Sequence, residues 1–243
     1  MPYRRLPNTD NARHKALLKA NQKGKDTPPF KLAFSQSTYQ KIVSFLSSYE
    51  KAMLHQKTTL ARQIERNKEY HILLKKARLY ISHFIQVINM AIQRGELSTS
   101  ILDNYRLNGY SKKLPSLNTE EEILKWGKNL IDGETERIRN GMSPITNPTI
   151  AVVKVRYEKF LEAYRNQKNL QISNNRALKE LADLRPVADS IILQIWNEVE
   201  ESFKDLPDEL RREKASEYGL VYIFRKNEVN DPRLFNSQKL GIS

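Results

Sequence analysis

Three carboxylates, Glu198, Glu201 and Asp205, stand at i, i+3 and i+7 of one stretch, with Glu200 beside them. On a helix they would share a face, and such a face binds a hard cation when a second helix supplies further oxygens. No Glu-x-x-His motif accompanies them, which argues against a di-iron bundle. A solvated acidic face is the simpler reading. The four histidines, His14, His55, His71 and His83, lack the i, i+4 spacing that places two metal ligands together. There is no cysteine, so disulfides and thiolate metal sites are excluded. Neither a P-loop nor a dinucleotide fingerprint occurs, and no serine or threonine sits in a nucleophile elbow. These residues point to no catalytic, metal or cofactor centre.

The basic residues offer a different chemistry. The formal net charge is +13, and it is unevenly spread. Residues 1–35 hold eight Lys/Arg against two acidic groups, and residues 36–97 hold ten against four, whereas 98–147 and 148–206 are each neutral. A basic half joined to a neutral half predicts a face that meets an anionic partner. The candidate contacts are Arg4, Arg5, Arg13, Lys15 and Lys19, together with Arg62, Arg66, Lys68, Lys75 and Lys76. The bland reading of such residues is a solvated surface. Tyr39, Tyr49, Tyr70, Tyr80, Tyr157 and Tyr164 recur at helical spacing, and a packed seam explains them better than a base-stacking platform does.

The elements that must carry these residues are helices. From Gln36 to Arg94 there is neither glycine nor proline, and seam positions, mostly apolar, alternate by three and four from Tyr39 to Ala91. Arg94 and Gly95 supply an ending. The same pattern returns from Thr149 to about Leu206, where Pro186 is the one breaker and predicts a kink. Between them, Thr119 and Glu122 form a capping box before a run in which Trp126, Leu130 and Ile131 face inward. At the start, Asp10 is placed to cap a short basic helix that ends near Gln22, before Gly24 and Pro28–Pro29. A short helix over 207–218 follows the second long segment, then "LVYIFR", with strand composition but no evident partner, and a polar tail expected to fray. The organisation read from this is a basic arm (1–35), a helical unit (36–97), a connector (98–147), a second unit (148–206) and a C-terminal piece (207–243).

The two long segments share wording. Under a shift of 108 residues, positions 49–91 fall on 157–199 without a gap, with ten identities in 43 positions. Chance at ordinary composition gives about three. Tyr49-Glu50-Lys51 lands on Tyr157-Glu158-Lys159, and Gln86 and Asn89 land on Gln194 and Asn197. An internal duplication is the better account. Most of the basic run is not shared: Arg62, Arg66, Lys75 and Lys76 fall on Leu170, Asn174, Asp183 and Leu184, so the two copies would have taken different roles. Both segments turn polar midway, at Gln56, Gln63 and Asn67 and at Gln167, Gln171 and Asn174. Each is then either a hairpin with its tip there or one long helix. The polar middle favours the hairpin; the unbroken phase favours the long helix.

The stretches "FIQVINMAIQRGEL", "EEILKWGKNLIDGETERI" and "IWNEVEESF" resemble a family of all-helical bacterial proteins with an internal repeat and no assigned activity. The resemblance covers most of residues 1–225 and implies a helical fold, with no site or ligand to carry over.

The expected fold is therefore all-α: two related helical units, hairpins or long helices, packed as a bundle and joined by a loop-and-helix connector. The opening residues lack the apolar core of a signal peptide, and no apolar run approaches the roughly 20 residues needed to span a bilayer. A cytoplasmic, non-catalytic scaffold or adaptor is expected, binding a protein partner or itself, with no cofactor and no membrane. The alternative is a nucleic-acid-binding protein that contacts phosphates through its basic half, and third comes an enzyme with an inter-helix pocket.

Overall fold

The computed structural model describes residues 3–224. It is all-α. Six helices, α1 (Asp10–Asp26), α2 (Gln36–Gln93), α3 (Ile101–Asn104), α4 (Glu120–Arg139), α5 (Ile150–Ser202) and α6 (Asp208–Glu217), account for nearly all the regular structure of the described residues. Two short strands, β1 (Tyr3–Arg4) and β2 (Tyr222–Ile223), and a single 3-10 turn at Pro29–Lys31 complete it.

Both long segments are single helices, of 58 and 53 residues, so the hairpin alternative is excluded. The polar middle has a different cause. The Thr59 hydroxyl donates to Asn174 Oδ1 at 3.4 Å, and the Gln167 carboxamide donates to Asn67 Oδ1 at 3.3 Å. Thr59 and Gln167 are buried, so the seam carries a hydrogen-bonded polar layer where a turn was the other option. Pro186 lies inside α5, which continues past it.

The chain forms two compact units whose boundary falls within both long helices. One comprises Met1–Thr58 with Asn175–Ser243; the other is Thr59–Asn174. In the first unit α1 packs on the opening half of α2 and the closing half of α5, around Leu17, Ile42, Tyr49, Ile192, Trp196 and Val199. In the second, α3 and α4 pack with the closing half of α2 and the opening half of α5, around Phe84, Ile88, Tyr105, Ile123, Leu130 and Phe160. Each unit holds one of the two tryptophans, Trp196 and Trp126 respectively.

Local chemistry explains the ends. Ser35 Oγ accepts from the Thr38 amide at the head of α2, and Gly95, at φ +75°, closes its tail with the Glu96 amide donating to Ala91 O. The Thr119–Glu122 capping box is present on α4. Two expectations change. The cap of α1 is Thr9, not Asp10, and the helix runs through Gly24 to Asp26. Gly24 does not end α1 because it serves packing: a Cβ there would lie 2.2 Å from the Tyr39 ring of α2. The "LVYIFR" segment also has a partner. Its Tyr222–Ile223 pairs antiparallel with Tyr3–Arg4, a contact between the two ends of the described chain. The polar tail beyond residue 224 lies outside the described residues.

Candidate functional site

The ten basic candidates divide five and five between the two units, and the structure uses them differently. Arg4 and Arg13 are internal fasteners. Arg4 Nη1 donates to Glu200 Oε2 at 2.8 Å and to Asn197 Oδ1 at 2.9 Å, and its guanidinium lies 5.9 Å from the Trp196 ring centre. Glu200 also accepts from the Tyr222 hydroxyl at 2.8 Å, so one carboxylate bolts both strands to α5. Arg13 makes a two-pronged pair with Asp189, at 2.8 and 2.9 Å, beside a second two-pronged pair in which Arg185 donates to Asp10.

Asp10 is thereby tuned. The hydrogen bond from Arg185 holds its carboxyl below the ordinary carboxylate range; partial burial opposes this, and the Tyr49 hydroxyl and Arg13 add to the lowering. A folded-state pKa below the unfolded value of about 3.9 gives stability that is present above that value. It is lost as pH falls through the folded value. Asp10→Asn should flatten the loss of stability of this unit on acidification below about pH 4, read from Trp196 fluorescence in a Trp126→Phe background. Identical acid limbs in the two proteins would show that the Asp10–Arg185 pair contributes nothing to folding.

Arg5, Lys15 and Lys19 line a cavity of about 390 Å³. Its walls are Leu6, Ala12, Ala16, Trp196 and Val221, and no carboxylate of the described residues lines it. Gly219, at φ +95°, closes one side, where a Cβ would come within 3.1 Å of Ala16 O. Lys15 and Lys19 are exposed and lie one turn apart on α1, and neither they nor Arg5 ion-pair among the described residues.

In the second unit, Arg62 and Arg66 line a groove of about 860 Å³. Lys159 joins them there, but so do Glu65, Glu69 and Glu162, and Arg66 pairs with Glu69 at 3.3 Å. The groove is electrically balanced, unlike the cavity. Lys68, Lys75 and Lys76 stand on the opposite side of α2 from Tyr70, Ala77 and Ile81, which are buried. They are interleaved with Ile64, Ile72 and Leu79, which are 58, 54 and 61% exposed.

The acidic set is partly engaged. Glu198 accepts from the Ser35 amide (2.6 Å), the Thr38 hydroxyl (2.7 Å) and the Gln194 carboxamide (2.9 Å), which ties α5 to the first turn of α2. Glu201 pairs with Lys204 at 2.6 Å. With both Glu198 oxygens engaged, calorimetry with calcium, magnesium or manganese should show no micromolar site. A stoichiometric micromolar isotherm would return these carboxylates to candidacy as ligands.

Two polar clusters escaped the sequence reading. One is the Thr38–Gln194–Glu198 set, whose helical spacing on α5 (194, 198) was legible but whose partner on α2 was not. The other is Glu134, wholly buried, which accepts from the Tyr105 hydroxyl, Arg137 Nε (2.9 Å) and the Ile145 amide (2.7 Å). No helix among the described residues is long and apolar enough to cross a membrane. Comparison with protein-family models, with curated proteins and with solved structures returns no match.

Proposed function

We propose that the chain is a cytoplasmic, non-catalytic helical adaptor that docks another protein on the outer face of the closing half of α2. The observation behind this reading is the trio Ile64, Ile72 and Leu79, each more than half exposed. At 100° per residue they fall within about 80° of the helix circumference. Lys68 and Lys75 lie inside that arc and Lys76 borders it. Single exposed apolar residues are ordinary, but a row of large ones on one helix face is a contact surface. The lysines set the partner's chemistry: an apolar helix or strand face flanked by carboxylates. A second copy of this chain, presenting the same face, would set lysine against lysine.

The sequence match between the two long segments adds to this reading, because the matched positions of the other long helix carry Asp183 and Leu184 where Lys75 and Lys76 stand, although Lys68 falls on Arg176. Nucleic acid is the competing partner. Arg4, Arg13 and Arg66 support it poorly, since each is ion-paired within the fold.

The test compares what the wild-type chain and two variants, Ile72→Glu/Leu79→Glu and Lys68→Glu/Lys75→Glu, retain from native lysate with and without nuclease. Nuclease-resistant retention of one protein, lost in both variants while their circular dichroism is unchanged, supports the reading if the retained protein docks through an acidic segment. Retention indifferent to both variants overturns it. Duplex DNA should bind with Kd weaker than about 10 µM near 150 mM salt. Submicromolar binding with log affinity falling by about 0.9 per log unit of salt for each phosphate contacted would favour the nucleic-acid reading instead.

A further inference from the structure

We infer that the cavity beneath Arg5, Lys15 and Lys19 is a binding site for a small amphipathic anion, a carboxylate carried on an apolar chain or ring. Three observations converge. The cavity is about 390 Å³, toward the small end of the roughly 300–1,000 Å³ typical of small-molecule sites. Its interior is apolar, floored by Trp196, which is 1% exposed, and walled by Ala12, Ala16 and Val221. Its rim carries three cations and, among the described residues, no carboxylate.

That last arrangement has a cost which no carboxylate among the described residues offsets. Lys15 and Lys19 are at i, i+4 on α1, where like charges repel. Elsewhere in the same unit several cations are matched across elements: Arg4 with Glu200, Arg13 with Asp189, Lys23 with Glu217. Around this cavity three cations gather without a countercharge among the described residues. The groove of the second unit makes the contrast, since its three cations are balanced by three carboxylates. A bound carboxylate would sit at the rim between Arg5 and the two lysines, and its apolar body would lie over Trp196.

The cavity is held by rigid parts. α1 supplies one wall, Trp196 of α5 the floor, and the turn at Gly219 the far side. Arg5 is fixed at the backbone because its amide donates to Val221 O at 2.9 Å, extending the β1–β2 pairing. The site is therefore largely preformed, which limits the ordering cost of binding.

Decanoate is a suitable probe for the full-length chain, with inorganic phosphate as the charge-only control and decanol as the apolar-only control. Titration calorimetry should give one site for decanoate with Kd of about 10–100 µM at low salt, and both controls should bind at least about tenfold more weakly. The indole N–H resonance of Trp196 should shift on titration while that of Trp126 stays in place. Lys15→Gln/Lys19→Gln alters only exposed side chains, so it should stay folded and weaken decanoate about tenfold or more. Ala12→Phe, which fills the cavity, should abolish binding. If that variant misfolds, Arg5→Gln stands in for it, with an expected weakening of several fold. Absence of binding at millimolar decanoate, or binding unchanged by the lysine variant, overturns the inference. Equal binding of decanol would show an apolar cleft with no anion preference, which also overturns it.

Discussion

Trp196→Ala should destabilise the protein by about 3–5 kcal/mol. Trp196 is almost wholly buried, packs with Ile42, Tyr49, Ile192 and Val199, and joins three elements of its unit. Removing the indole leaves a cavity that helices on either side close only in part, so the lost contacts add to the lost burial. Phe84→Ala in the other unit should cost a similar amount, because Phe84 is fully buried and meets Tyr105 edge-on with ring centres 6.1 Å apart. Arg62→Gln or Lys68→Gln should stay within about 0.5 kcal/mol, since both side chains are exposed. Chemical denaturation followed by circular dichroism measures all four. Loss from the charge variants equal to that from the aromatic ones would mean that the assigned core faces outward.

Glu134→Ala should be as damaging, by about 3–5 kcal/mol, for an electrostatic reason. Its carboxylate is wholly buried and accepts from Arg137, the Tyr105 hydroxyl and the Ile145 amide. Arg137 is itself buried and reaches the Ser143 carbonyl, so the group bridges α3, α4 and the loop that follows α4. Deleting the carboxylate strands a guanidinium, a phenol and a backbone amide away from water, and each orphaned donor carries its own desolvation cost. Replacing the pair together, Glu134→Leu/Arg137→Met, should recover much of the loss, because apolar groups of similar volume carry no charge to strand. Thermal melts giving the double variant the same loss as Glu134→Ala would show that packing, not charge, holds this corner.

The sequence by itself determined the helices. Period, capping residues and the absence of glycine and proline are local signals, so the helical character of residues 36–93, the Thr119 cap, the Gly95 ending and the inward face of Trp126 and Leu130 were all legible, whereas the continuity of α2 was not. It also determined the asymmetry of charge, since that is a count. Tertiary structure alone decided what the polar residues do. Gln63, Asn67, Gln167 and Asn174 read equally as a turn or as a buried layer, because a carboxamide satisfies its hydrogen bonds to water or across a seam. The choice depends on the residue opposite, such as Asn67 for Gln167. Gly24 read as a breaker because its other use, admitting the Tyr39 ring, depends on a helix twelve residues away. The pairing of Tyr3–Arg4 with Tyr222–Ile223 joins residues more than 200 positions apart, beyond any local signal. The basic residues show this most fully. Arg4, Arg5, Arg13, Lys15 and Lys19 are equivalent as sequence, yet Glu200 and Asp189 neutralise two of them while the cavity over Trp196 leaves three without a countercharge among the described residues. Charge is a property of the residue, but whether it is available to a ligand is a property of its neighbours in space.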